Sequence, residues 1–218
     1  MINLANFLLI IEEIINYTKK DIDKGLTPPL IYKICCSCIR EAFCLSYAIR
    51  KDNNLYLYFQ KEKILIKFEG YRLRYLGPDE RSQALLLKKV LDKSISTINS
   101  DGNKWIKSTP GIYSKSFLDD LSFIDYLGSS VQDPIIFIFD EFDNMDESNI
   151  PEIENINTLE ILRDNFYIIP TYPFSENNNI IKLILSLTNI KLVRLPKIRL
   201  IQDKILYINY LIDKIQYS

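Results

Sequence analysis

Alternation of apolar and polar positions marks out the elements of this chain before any other property is considered. Residues 64–69, ILIKFE, set Ile64, Ile66 and Phe68 on one side of an extended segment and Leu65, Lys67 and Glu69 on the other. That two-residue period belongs to a strand buried on at least one face, and Gly70 ends it. Gly77 then stands at an N-cap position, with Pro78 at the first helical position, where a missing N–H costs nothing. Asp79 and Glu80 follow at the positive end of the helix dipole. Beyond them Ala84, Leu87 and Leu91, flanked by Leu86 and Val90, form an apolar stripe, while Arg81, Lys88, Lys89 and Lys93 take the wet faces. The spacing predicts a helix with one buried side and one basic side.

The same reading extends in both directions. Residues 5–11 are a strand or the start of a helix running to Tyr17. Gly25 and Pro28-Pro29 mark a linker, and residues 30–50 read as a helix with Ile34, Cys38, Ala42 and Leu45 on one side. Residues 54–60 are strand-like. Ser100–Asn103 is a turn, Ser108-Thr109-Pro110-Gly111 a loop of small groups and backbone amides, and 117–127 a short helix. Residues 134–139, PIIFIF, are a short apolar run of the kind found in a central parallel strand. An acidic, Asn-rich stretch follows from 140 to 158, then a helix near Leu159–Leu162, a strand at 166–169, and a helix or strand at Ile180–Leu187. Ile201–Ile215 is amphipathic, with Ile205, Ile208, Leu211, Ile212 and Ile215 at helical spacing. Strands alternating with helices argue for an α/β sheet with helices on both faces.

Composition narrows the class. At 218 residues, 47% apolar and 25% charged, the chain buries a core easily, and its longest apolar runs fall far short of a membrane span. Glu12 and Glu13 interrupt the first apolar stretch, so no signal peptide is expected and a cytoplasmic location is. The net charge of −1 conceals a division. Residues 1–116 carry 19 basic against 12 acidic side chains, and 117–218 carry 8 against 16. Such asymmetry is compatible with one half facing a polyanion, although the residues alone favour two ordinary solvated surfaces. The four cysteines, Cys35, Cys36, Cys38 and Cys44, sit close together with no histidine in the chain, so neither a zinc site nor a disulfide framework is expected.

FEGYRLRYLGPDERS (68–82), LLLKK and STPGIY (108–113) together resemble the archaeal tRNA pseudouridine N1-methyltransferases of the SPOUT superfamily. Similarity extends back through CIREAFCLSYAIRKD (38–52), forward to PIIFIFDE (134–141), and faintly to LVRLPKIRLIQDK (192–204). The resemblance implies a single SPOUT-type domain over 1–218, with a mostly parallel sheet, helices on both faces and a C-terminal trefoil knot, acting as a homodimer. Residues 142–189 exceed the family's counterpart and read as an insertion.

The activity implied is transfer of a methyl group from S-adenosylmethionine to N1 of a pseudouridine in the tRNA T-loop, with tRNA as partner and no membrane or DNA. Aligned with the family, Arg50, Lys51, Arg72, Arg74, Arg81, Lys88 and Lys89, with Ser108, Thr109 and Gly111, are the RNA-contacting candidates. Asp140, Leu195, Ile198 and Leu200 are the cofactor candidates. The chain departs from the family at several points. Phe139-Asp140-Glu141 replaces a Gly-Asp-His run, no glycine follows Gly128, and Ile31-Tyr32-Lys33 replaces an Arg-x-Asp. No catalytic base is named. A second reading therefore stays open: a diverged, inactive paralogue that keeps the fold as an RNA- or protein-binding module. IIFIFDE has the form of a Walker B strand, but no Gly-rich phosphate loop accompanies it.

Overall fold

The computed structural model describes residues 5–97, 104–131, 134–139, 165–171, 179–195 and 198–216. Among them eight strands form one sheet. These are β1 (Ala5–Ile11), β2 (Asn53–Phe59), β3 (Ile64–Glu69), β4 (Ile106–Thr109), β5 (Ile112–Ser116), β6 (Ile135–Phe139), β7 (Phe166–Pro170) and β8 (Ile190–Arg194). Their order is β4-β5-β3-β2-β1-β7-β6-β8. β2, β1, β7, β6 and β8 run parallel, and β3, β5 and β4 extend the sheet antiparallel.

The two-residue period divides the core by face. Phe7, Leu9, Leu55, Leu57, Ile66, Phe68, Ile136, Ile138 and Ile169 point to one side. There they meet α1 (Lys19–Asp23), a π-helical segment Leu30–Cys36, α2 (Ser37–Phe43), α3 (Glu80–Thr97) and α6 (Ile201–Gln216). Leu8, Ile10, Tyr58, Leu65, Ile135, Phe137 and Ile168 point to the other, against α4 (Asp120–Ser130) and α5 (Asn179–Leu185). The expected α/β sheet with helices on both faces is thus present.

Several expectations are corrected. The helix expected over 30–50 is a π-helix followed by one short α-helix that stops at Phe43. Its last carbonyls are taken by side-chain amides from distant elements: Asn53 Nδ2 donates to Ala42 O at 2.7 Å and Asn209 Nδ2 to Glu41 O at 2.9 Å. The chain then turns back through Leu45 N–H to Ala48 O, which leaves Leu45 exposed rather than buried. The helix expected from Gly77 begins at Glu80, because the Asp79 carboxylate accepts from Ser82 N–H at 2.8 Å and so stands as the cap. The loop expected at 108–111 is a hairpin: Ser108 and Thr109 lie in β4 and only Pro110-Gly111 turn. Residues 190–194, to which the sequence reading assigns no element, are strand β8. β7 and α5 fall within the stretch read as an insertion, and β7 sits mid-sheet between β1 and β6. The turn at 100–103 and the helix at 159–162 lie outside the described residues.

Candidate functional site

Three separated stretches converge at the end of β3. Gly70 closes against β2: a Cβ there would lie 2.4 Å from Asn53 O and 2.7 Å from Arg50 O, so glycine is what lets segment 50–53 approach. Gly111, with φ +81, turns the β4–β5 hairpin against the following loop, where a Cβ would come 2.5 Å from Leu73 N. Glu69 N–H donates to Gly111 O at 2.8 Å. Leu73 and Leu76 are buried, and they anchor a loop whose intervening residues face outward. Tyr71 and Tyr75 are 71% and 80% exposed, and Arg72 and Arg74 are exposed beside them. Tyr75 is held at φ +67, a strained conformation for a non-glycine residue. Its carbonyl accepts from Ser82 Oγ, and Gly77 N–H donates to the same hydroxyl at 2.9 Å.

This loop therefore displays two arginines and two tyrosines on a rigid base. Arginine supplies phosphate contacts and tyrosine a stacking face, the combination suited to unstacked RNA. Tyr71 and Tyr75 were not among the sequence candidates, although the alternation Tyr-Arg-Leu-Arg-Tyr around one buried leucine carries the signal. Arg72 leans toward Glu69 at 3.7 Å, and the Tyr113 hydroxyl, then Glu69, raise its already high pKa.

The remaining basic candidates divide. Lys51 and Lys89 are exposed. Arg81 pairs with Asp23 at 2.9 Å and Lys88 pairs with Asp92 one turn along α3. Arg50 differs from expectation: it is 12% exposed and makes a two-pronged bond to Asp213 of α6 at 2.6 and 2.7 Å, so its guanidinium fastens the last helix instead of facing solvent. The Thr109 hydroxyl is buried and the Ser108 hydroxyl is screened from solvent, which leaves Gly111 to support the loop from beneath.

On the opposite edge of the sheet, β7, β6 and β8 end level with one another. Phe139 is in register with Arg194, and the β6–β7 pairing runs Ile135 with Phe166 through Phe137 with Ile168. Loops leaving the carboxyl ends of parallel strands are where open α/β sheets bind ligands. Of the cofactor candidates, Asp140 lies outside the described residues. Leu195 is buried in the core, Ile198 is half-buried, and Leu200 is 57% exposed. Ile198 and Leu200 line an open hollow of about 710 Å³ with Asp203, Leu206, Tyr207 and Tyr210 of α6. No cluster of metal-ligating side chains occurs among the described residues.

The family model described as "Putative SAM-dependent RNA methyltransferase" matches residues 30–151, more than half of the chain. The chain belongs to this family. The whole loop from Gly70 to Gly77, segment 50–53 and the β4–β5 hairpin lie inside the family match. Individual relatives agree with the RNA methyltransferase family. The tRNA (pseudouridine(54)-N(1))-methyltransferase of Methanosarcina acetivorans is 41% identical over 83 residues, 37% of this chain and 36% of that protein. The protein of the same description from Methanocaldococcus jannaschii is 42% identical over 81 residues, 36% of this chain and 40% of the relative. That of Methanococcus aeolicus is 36% identical over 127 residues, covering 53% and 59%. The chain thus spans between 36% and 59% of the length of these curated relatives. Archaeoglobus fulgidus Nep1, solved bound to S-adenosylhomocysteine, superposes over the full length of both chains with a TM-score of 0.58 and 11% identity, a likeness of fold.

Proposed function

We propose that this family member is an S-adenosylmethionine-dependent tRNA methyltransferase that modifies N1 of pseudouridine at position 54, the activity for which its relatives are named. The observation that carries the reading is the assembly of segment 50–53, loop 70–77 and hairpin 109–112 into one basic and aromatic platform, all within the family match. Lys51, Arg72 and Arg74 take phosphates, and Tyr71 and Tyr75 stack on bases of the opened T-loop. Lys89 extends the positive surface, and Arg81 and Lys88 join it at the expense of exposed ion pairs.

Pseudouridine is joined to ribose through carbon, so its N1 retains a proton; removal of that proton leaves a nucleophile. S-adenosylmethionine, when bound, supplies the methyl group on a sulfonium. The residues of the hollow beyond β8 fit that group in kind. Ile198, Leu200 and the Tyr207 and Tyr210 rings provide apolar and aromatic surface for an adenine, and the Asp203 carboxylate provides an acceptor for ribose hydroxyls. Asp140, which lies outside the described residues, is proposed as a further cofactor contact on the family resemblance alone. The chain's part is then positioning, which alone supplies a large share of such rate enhancements.

We further propose a homodimer and a C-terminal trefoil knot. α6 buries Lys204, Ile205, Ile208, Asn209 and Ile212, yet Leu206 and Tyr210 remain about half exposed on its other side. Because Leu200, Leu206 and Tyr210 also line the cofactor hollow, the second copy is proposed to close that hollow from outside, so that the cofactor lies at the subunit boundary.

The test is transfer of labelled methyl from S-adenosylmethionine to T-loop RNA carrying either pseudouridine or uridine, with calorimetry of the cofactor alone. Label in the pseudouridine substrate only is expected. No heat at about millimolar cofactor together with no transfer would refute the enzyme reading. A second reading is favoured by one observation: Ile31, at the place of the family's arginine, is fully buried, so no charged group stands there. RNA bound tightly without transfer supports that reading, a non-catalytic RNA-binding relative.

A further inference from the structure

A second hollow of about 390 Å³ opens on the α4 side of the sheet, at the amino-terminal ends of the parallel strands. Asn6 of β1 and Asn54 of β2 are register partners there, and Asn54 Nδ2 donates to Asn6 Oδ1 at 2.9 Å. That bond uses one polar atom of each amide and leaves Asn6 Nδ2, a donor, and Asn54 Oδ1, an acceptor, with no other partner among the described residues. One amide donor and one amide acceptor at the same hollow are the groups that a nucleobase edge, which itself mixes donors and acceptors, can bond. Tyr56 and Phe166, with ring centroids 5.3 Å apart, supply an aromatic wall.

The hollow is also cationic. Lys67 Nζ lies 5.7 Å from the centre of the Tyr56 ring, half-buried and without an ion pair among the described residues. Burial lowers its pKa, against the opposing pull of Glu69. Lys51 is exposed and lines the same space with Tyr71. The one carboxylate among the described residues of the lining, Glu69, is drawn toward Arg72. Two cations, an amide pair and aromatic rings in one space of ligand size are a built site.

We propose that this hollow binds one nucleotide, its base against the Asn6–Asn54 amides and the Tyr56 ring and its phosphate on Lys51 and Lys67. The nucleotide is not the one methylated. β1 is seven residues long, so the hollow lies about 20 Å from the carboxyl edge that the cofactor site occupies. It anchors a nucleotide several positions from the methylated one, in the RNA whose loop lies on the Tyr71 platform, since Tyr71 and Lys51 line the hollow as well. The RNA source rests on the methyltransferase reading; the pocket chemistry does not.

The experiment titrates the full chain with nucleoside 5′-monophosphates and with the matching nucleosides, by calorimetry or chemical-shift perturbation. At least one monophosphate binds in roughly the millimolar range, and its nucleoside about tenfold more weakly because the charge-assisted contacts are lost. Lys51→Gln, a surface change, abolishes most of that difference, and Asn54→Leu weakens nucleotide and nucleoside alike by about fivefold. Added tRNA that displaces the monophosphate identifies RNA as the source, and tRNA that leaves it in place identifies a free nucleotide; either result retains the site. No binding of any monophosphate up to about 10 mM overturns it, as does equal binding of nucleotide and nucleoside. Failure here with intact cofactor heat and methyl transfer refutes the pocket alone, and the reverse refutes the enzyme alone.

Discussion

Substituting Gly111 by alanine tests whether the hairpin buttresses the Tyr71–Tyr75 loop. The new Cβ would meet Leu73 N, Arg72 C and Leu73 Cα at 2.5–2.6 Å, all backbone, so the loop or the hairpin must move. Two costs add. A non-glycine residue at φ +81 costs about 1 kcal/mol, and forcing an atom into a filled space costs about 1–3 kcal/mol more. Gly25 separates them, because it has φ +68 and nothing within 4 Å of its Cβ position. Gly25→Ala therefore carries the backbone cost alone, about 1 kcal/mol, and Gly111→Ala about 2 kcal/mol beyond it. For a chain of this size that difference is roughly 4–8 °C in melting temperature. Urea unfolding of both variants measures it, and tRNA affinity is read alongside, since only Gly111→Ala displaces Arg72 and Arg74. Equal destabilisation of the two variants, or wild-type RNA affinity in Gly111→Ala, would refute the reasoning.

Replacing Arg72 and Arg74 together by glutamine should reduce the slope of log affinity against log salt for tRNA by about 1.4–1.8, whereas Arg50→Gln should leave the slope and lose about 1–2 kcal/mol of stability with the Asp213 pair; fluorescence titrations at several salt concentrations decide. Asp119 caps α4, and hydrogen bonds from the Ser122 hydroxyl and backbone N–H hold its pKa below the ordinary 3.8. Its contribution is therefore complete above that value and is lost as pH falls through the depressed one, so Asp119→Asn should flatten the acid end of the urea-midpoint curve; an unchanged curve contradicts the cap. Burial raises all four thiols, and at Cys36 burial and then Glu80 push the value up to about 12. A thiol reagent near pH 8 should thus modify the half-exposed Cys44 slowly and the other three only on unfolding, and rapid labelling of more than one would contradict this packing.

Elements with a complete local signal were legible in the sequence. β3 and the apolar stripe of α3 needed only their periodicity, and β6 only its run of apolar residues between a proline and an acidic stretch. What failed depended on partners far along the chain. The end of α2 is set by amides of Asn53 and Asn209, and the fate of Arg50 by Asp213, which is 163 residues away. No window of neighbouring residues contains that information. The platform was half legible: its arginines stood out, but Tyr71 and Tyr75 became candidates only once the burial of Leu73 and Leu76 showed which way the loop faces. The hollow at Asn6 and Asn54 had no local signal at all, because it exists only through the pairing of β1 with β2.

The position of β7 has a consequence for synthesis on the ribosome. β1 can pair with β2 soon after both emerge, but its other edge waits for Phe166–Pro170, about 100 residues later. At ordinary elongation rates that is roughly 5–20 s during which a strand of Phe, Leu and Ile keeps a row of open backbone groups. A nascent chain of this protein thus presents a hydrophobic strand edge of the kind that chaperones shield until the distant partner strand arrives.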